Sequence, residues 1–145
     1  MVARRLAAAE QLVLAQARED ERVLVHVVAD RHVVGVGADP QRAMALYLEA
    51  AKAGDLSAGN NLGELYETGR GVPVDGARAS EYYKAAAEAG FAPAQFNLGR
   101  LYAGGTVVAR DTDKARLWLT AALKNGVQPA QKILDWLDTQ PAPGR

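Results

Sequence analysis

The sequence predicts an all-α fold, a solenoid of paired helices built on a 36-residue repeat. Three observations predict it. The first is self-similarity at one step of 36 residues, kept by Gly54, Gly90 and Gly126 and by Asp39, Asp75 and Asp111. Ala43, Ala79 and Ala115, then Ala50, Ala86 and Ala122, then Ala58, Ala94 and Ala130 keep the same step. The second is composition. Apolar residues make up 49% of the chain and aromatics only 6%, so much of the apolar content is alanine, the strongest helix former and one that lets helices approach closely. The third is punctuation. An aspartate suited to a helix N-cap and a glycine suited to the left-handed C′ position bracket stretches of equal length.

Taken in order, Ala3–Ala17 has the spacing of an amphipathic helix able to cap an array. The next segment, ERVLVHVVADRHVVGVGADP, has two competing readings. One is a degenerate helix. The other is a small β-hairpin at about 22–36, with Arg22–Val28 and Arg31–Val36 turning at Ala29-Asp30; its valines favour strands, but a lone hairpin is marginal unless helices cover it. A clear second helix of a pair runs over Asp39–Ala53, with Pro40 at its first position, where a missing N–H costs nothing. The pattern AxxxLGxLY then predicts first helices at about Ser57–Thr68 and Pro93–Ala103. In it Ala58, Leu62, Leu65 and Tyr66 share one face. Gly63 and Gly99 cost about 1 kcal/mol each inside a helix, which points to a neighbouring helix lying too close for a side chain. The turns GRGVPVD (Gly69–Asp75) and GGTVVARD (Gly104–Asp111) follow, then second helices from Asp75 and Asp111.

Pro129–Leu137 repeats the first helix once more, with Ala130, Leu134 and Leu137 in register. Asp135 replaces the motif glycine and Asp138 the tyrosine, the polar substitutions expected of a terminal cap. The organisation expected is a capping helix and degenerate repeat start over 1–38, a solenoid over 39–138 and a disordered tail over 139–145. A chain of 145 residues suits one domain, and short helix pairs bury their apolar faces only by stacking on the next pair.

These residues make the chain resemble the Sel-one-like repeat family, relatives of tetratricopeptide repeats with a slightly longer unit. The family pattern appears as Ala58, Leu62-Gly63, Tyr66, Gly69-Arg70-Gly71-Val72, Asp75, Ala79, Tyr82-Tyr83, Ala86 and Gly90. A second copy has Ala94, Leu98-Gly99, Tyr102, Gly104, Val108, Asp111, Lys114-Ala115, Trp118, Ala121-Ala122 and Gly126, with Val107 where the second loop glycine belongs. The resemblance covers about Gly35–Leu137. It implies a right-handed superhelix that binds proteins or peptides. Bacterial members occur as adaptors, secretion accessories, immunity proteins and envelope scaffolds. Some cysteine-rich members are described as penicillin-binding or β-lactam-hydrolysing, but this chain has no cysteine and their disulfides have no counterpart.

Lys+Arg and Asp+Glu balance at 17 each, without the basic excess of a nucleic-acid binder. No run reaches transmembrane length, and Glu10 and Gln11 interrupt what would be a signal-peptide core, so a cytoplasmic protein is expected. His26 and His32 flank Asp30, but their spacing is not that of a helical metal pair and no third ligand is evident. The GRGV segment lacks the ending and the preceding strand of a phosphate loop. Tyr66, Tyr82, Tyr83, Tyr102 and Trp118 fall at repeat positions and read as packing, and the aspartates as caps. No nucleophile stands with a base, and no cofactor or metal is expected.

The remaining candidates are positions that the repeat does not require on the first helix of each pair, which lines the concave side of such arrays. They are Asn60, Glu64 and Glu67, then Phe96, Arg100 and Ala103, then Lys132 and Trp136. An aromatic, an arginine and a tryptophan there fit binding hot spots; packing under a neighbour for Phe96, and covering the last core layer for Trp136, compete with that reading. The expected function is a non-catalytic scaffold or adaptor holding a partner protein or peptide in a groove, with no nucleic-acid or membrane partner. An inhibitor or immunity protein neutralising a bacterial toxin is the first alternative, a hydrolase using His26 or His32 the second. Oligomeric state is not legible.

Overall fold

The computed structural model describes residues 40–141, and the chain divides into two compact units at Val74–Asp75. The described part of the first unit holds α1 (Pro40–Lys52) and α2 (Leu56–Thr68). The second holds α3 (Gly76–Glu88), α4 (Ala92–Gly104), α5 (Thr112–Lys124) and α6 (Ala130–Thr139). Among the described residues every regular element is a helix. The helix over 3–17, the hairpin alternative at 22–36, the cap at Asp39 and the end of the tail lie outside them.

Helix starts follow the aspartates. Asp75 and Asp111 take extended backbone, and each Oδ1 accepts from the amide three residues on, Arg78 N at 3.1 Å and Lys114 N at 3.1 Å. Asp55 does the same for Ala58 N at 2.9 Å, so α2 begins at Leu56, one residue before the expected Ser57. α4 has no such cap; Pro93 in its first turn and Phe91 before it mark its start. Because a cap aspartate satisfies an otherwise unpaired amide, Asp111→Ala is expected to cost about 1 kcal/mol. A urea midpoint unchanged by that substitution would contradict the assigned role.

Helix ends follow the glycines. Gly54, Gly90 and Gly126 have φ of 96°, 90° and 94°. At each, two amides turn back onto the last helical carbonyls: Gly54 N to Ala51 O and Asp55 N to Ala50 O, Gly90 N to Ala87 O and Phe91 N to Ala86 O, Gly126 N to Leu123 O and Val127 N to Ala122 O. This paired 6→1 and 5→2 pattern is the Schellman motif, for which a left-handed residue is required. It turns the chain sharply from the second helix of one pair into the first helix of the next.

One motif assignment is corrected. The glycine that ends α4 in left-handed geometry is Gly105 (φ 67°), matching Gly69 (φ 73°) that ends α2; Gly104 is the last residue of α4. No non-glycine residue in the described chain has positive φ, so the loop at Val107 takes a path different from that at Gly71 (φ 73°). That path brings the Val107 carbonyl over the start of α3. A Cβ on Gly76 would lie 1.9 Å from the Val107 oxygen.

In the second unit the predicted face is buried: Ala94, Leu98 and Leu101 on α4, Ala115, Leu119 and Ala122 on α5, Ala130 and Leu137 on α6. Ala103, marked by the repeat as a groove position, is buried too; with Ala115, Leu119, Ala122, Ala130 and Leu137 it forms one cluster, against which Phe96, Tyr102, Leu123, Val127, Ile133 and Leu134 pack. In the first unit Met44, Tyr47 and Ala50 on α1 and Ala58, Leu62, Leu65 and Tyr66 on α2 are buried. Each fully buried leucine contributes roughly 1.5–3 kcal/mol by leaving water. The close approach expected at the motif glycine is present at Gly99, where a Cβ would meet Leu119 Cγ at 2.6 Å.

Candidate partner-binding surface

The candidates fall on both units. On the first, all three lie on α2. Asn60 is buried, with 7% of its surface exposed. Glu64 and Glu67 are half-buried, and all three make interactions within the fold.

On the second unit, α4 carries Phe96 and Arg100, and α6 carries their repeat equivalents Lys132 and Trp136. α4 and α6 touch, and both pack on α5. Phe96 is half-buried against the core cluster, so it has a packing role. Arg100 is half-buried and engaged within the fold. Lys132 is exposed, and Trp136 leaves 45% of its surface open. The Arg110 guanidinium, from the loop before α5, stands 5.2 Å from the centroid of the Trp136 ring. At that distance over an indole the charge is attracted by the ring quadrupole, by about 0.5–1 kcal/mol at an exposed site. The pair fixes an open aromatic surface beside a cation.

Sequence reasoning missed Arg110. It is a loop residue whose repeat equivalent is Val74, and only the tertiary path of the loop brings it to Trp136. It also missed a polar link. Gln95 is buried, donating Nε2 to the Ala87 carbonyl at 3.2 Å and accepting from Asn125 Nδ2 at 2.8 Å. One side chain thereby ties the end of α3 to α4 and to the residue after α5. The equivalents one repeat earlier are Gly59 and Ala89, so periodicity carries no trace of it.

The polar positions of α6 behave as a terminal layer. Asp135 and Asp138 are exposed where Gly99 is buried and Tyr102 half-buried. Asp135 accepts from Gln131 Nε2 at 2.8 Å, and Asp138 pairs with Arg116. Among the aromatics at repeat positions, Tyr66 and Tyr83 are buried and Tyr82, Tyr102 and Trp118 half-buried; Tyr102 carries Lys114 Nζ 5.3 Å from its ring centroid. Asp75 and Asp111 cap helices. Among the described residues no group of three or more His, Asp and Glu side chains is placed to hold a metal ion, and no helix is long and apolar enough to cross a membrane. His26 and His32 lie outside the described residues.

The helix pairs, their step and their closing glycines are matched by one family profile, the Sel1 repeat, over residues 32–55, 57–91 and 92–127. The chain belongs to the Sel1 repeat family. The matches end before α6, the helix in which Asp135 and Asp138 replace the motif residues. Solved Sel1-type structures share the fold. A Sel1 repeat protein from Oxalobacter formigenes is 37% identical with a TM-score of 0.65, over 72% of this chain and 31% of that one. The protective antigen c5321 of uropathogenic Escherichia coli, which displays an SLR fold, is 31% identical with a TM-score of 0.67, over 90% of this chain and 27% of that one. This chain therefore spans less than a third of the length of either. The cysteine-rich protein B of Helicobacter pylori, at 21% identity and a TM-score of 0.63 over 92% of this chain and 97% of that one, shares the fold. No functionally curated protein matches the sequence. Sel1 repeats are in general protein-interaction scaffolds and typically not catalysts.

Proposed function

We propose that this chain is a non-catalytic binding module that holds a partner protein or peptide on the first helices of its pairs. The observation that carries the reading is Trp136, an open indole held by Arg110 at a position the repeat does not require. Arg100, Lys132 and Trp136 supply the contact on the second unit; Glu64 and Glu67 supply it on the first. Phe96 supports the α4–α6 surface from beneath, and Asn60 acts from a buried position on α2.

Aromatic and arginine anchors carry a disproportionate share of interface energy, so Trp136→Ala and Arg100→Ala are each expected to weaken capture of the natural partner by about tenfold or more. Phe96→Ala is expected to lose both binding and some stability, and circular dichroism separates the two. Undiminished capture by correctly folded Trp136→Ala and Arg100→Ala proteins would remove the surface assignment.

A further inference from the structure

Resting on that reading, the second unit's surface also selects a chemistry for its partner. Lys132 and Trp136 stand one turn apart on α6 and share a face. The Arg110 guanidinium lies over the indole from the neighbouring loop, 5.2 Å from its centroid. All three are exposed. A guanidinium over an aromatic ring still carries five N–H donors, more than the ring contact uses, and two of them can match a carboxylate bidentately. The Lys132 ammonium makes no ion pair among the described residues.

Of the surrounding carboxylates, Asp138 is charge-paired, while Asp111 and Asp135 accept hydrogen bonds from neutral donors and keep their charge. Asp111 caps α5, Asp135 is held by Gln131, and Asp138 is paired with Arg116. Asp111 and Asp113 line a depression with Arg110 and Pro141 at the start of α5, so the Arg110 guanidinium has two acids near it and Lys132 is the less screened cation. The arrangement is peculiar to the last repeat. One repeat earlier its positions hold Val74, Phe96 and Arg100. Two cations thus flank an open aromatic face in a chain of net charge +0. Such a site is too small for a nucleic-acid backbone, which draws affinity from many phosphate contacts, and it fits a short acidic segment.

We propose that Lys132, Trp136 and Arg110 form a docking point for an acidic linear segment of a protein partner. Two carboxylates meet Lys132 and Arg110, and an apolar side chain between them lies on the indole.

Trp118→Phe leaves Trp136 as the only indole, since the chain has 2 tryptophans. Its emission is followed while adding a short Asp/Glu peptide with a central leucine, the same peptide with Asn/Gln, the same with Lys, and oligothymidylate. A saturable change with the acidic peptide alone is expected. It should weaken at least tenfold in Arg110→Glu/Lys132→Glu, a double substitution of exposed side chains, and should fall as salt is raised. Equal response to acidic and neutral peptides, indifference to the charge reversal, or equal binding of oligothymidylate overturns the proposal. So does a dimer in sedimentation that Trp136→Ala dissolves, because the occupant is then a second copy. If partner capture still depends on Trp136 while the acidic peptide fails, the surface stands and its acidic ligand falls.

Discussion

Gly99→Ala is expected to destabilise the protein by about 1–3 kcal/mol, the range for forcing an extra methyl into a packed interior. Helix propensity alone predicts the opposite sign, since alanine is favoured over glycine by roughly 1 kcal/mol. Packing decides. The new Cβ would lie 2.6 Å from Leu119 Cγ and 3.0 Å from both Leu119 Cδ2 and Leu119 N. Leu119 is fully buried, and two of those atoms, Cγ and the backbone nitrogen, are not the movable end of a side chain. α4 and α5 would have to separate. Gly104, the last residue of α4, has nothing within 4 Å of where its Cβ would stand, so Gly104→Ala is the matched control and is expected to be neutral or slightly stabilising. Urea midpoints read both; a stabilised Gly99→Ala protein would refute the close approach.

The reason for Gly99 was legible because a costly residue recurred at a fixed step. The same holds for the caps. Asp75 and Asp111 were legible because a carboxylate before a helical run has one common local use, and Gly54, Gly90 and Gly126 because the left-handed C′ has one common occupant. Boundaries slipped where the local signal was shared by two residues. Asp55 and Ser57 both suit an N-cap, and the structure uses Asp55. Gly104 and Gly105 both suit a helix end, and the left-handed residue is Gly105. Gly76 carried no signal, because its reason is a carbonyl from a loop about 30 residues further on, packed against the first turn of α3.

The surface was half legible for the same physical reason. Subtracting the repeat marks the positions that packing does not demand, and that procedure reached Lys132 and Trp136, which are exposed. It also marked Asn60 and Phe96. Asn60 is buried and Phe96 lies against the core, since a helix face changes to interior over a few tens of degrees and periodicity does not resolve which side of the edge a residue takes. Arg110 was out of reach altogether. A loop has no period, and its contact with Trp136 exists only once α4, α5 and α6 have packed.

Leu119→Ala is expected to have the largest effect, about 2–5 kcal/mol, because the side chain is fully buried among Ala103, Ala115, Ala122, Ala130 and Leu137 and its removal leaves a cavity. For a chain of this length that is a fall in Tm on the order of 4 °C for each kcal/mol. Four of those five buried neighbours are alanines, which have no flexible side chain to move into the space. The informative measurement is the double substitution. With Leu119 truncated, the Cγ and Cδ2 that oppose a Cβ at position 99 are gone, leaving the backbone nitrogen at 3.0 Å. The added methyl then occupies part of the new cavity. Gly99→Ala should therefore cost less in the Leu119→Ala background than alone, with a coupling of about 1–2 kcal/mol in the range found for residues in direct contact. Additivity within about 0.5 kcal/mol, as for sites that do not touch, would show that Gly99 is kept for some reason other than Leu119.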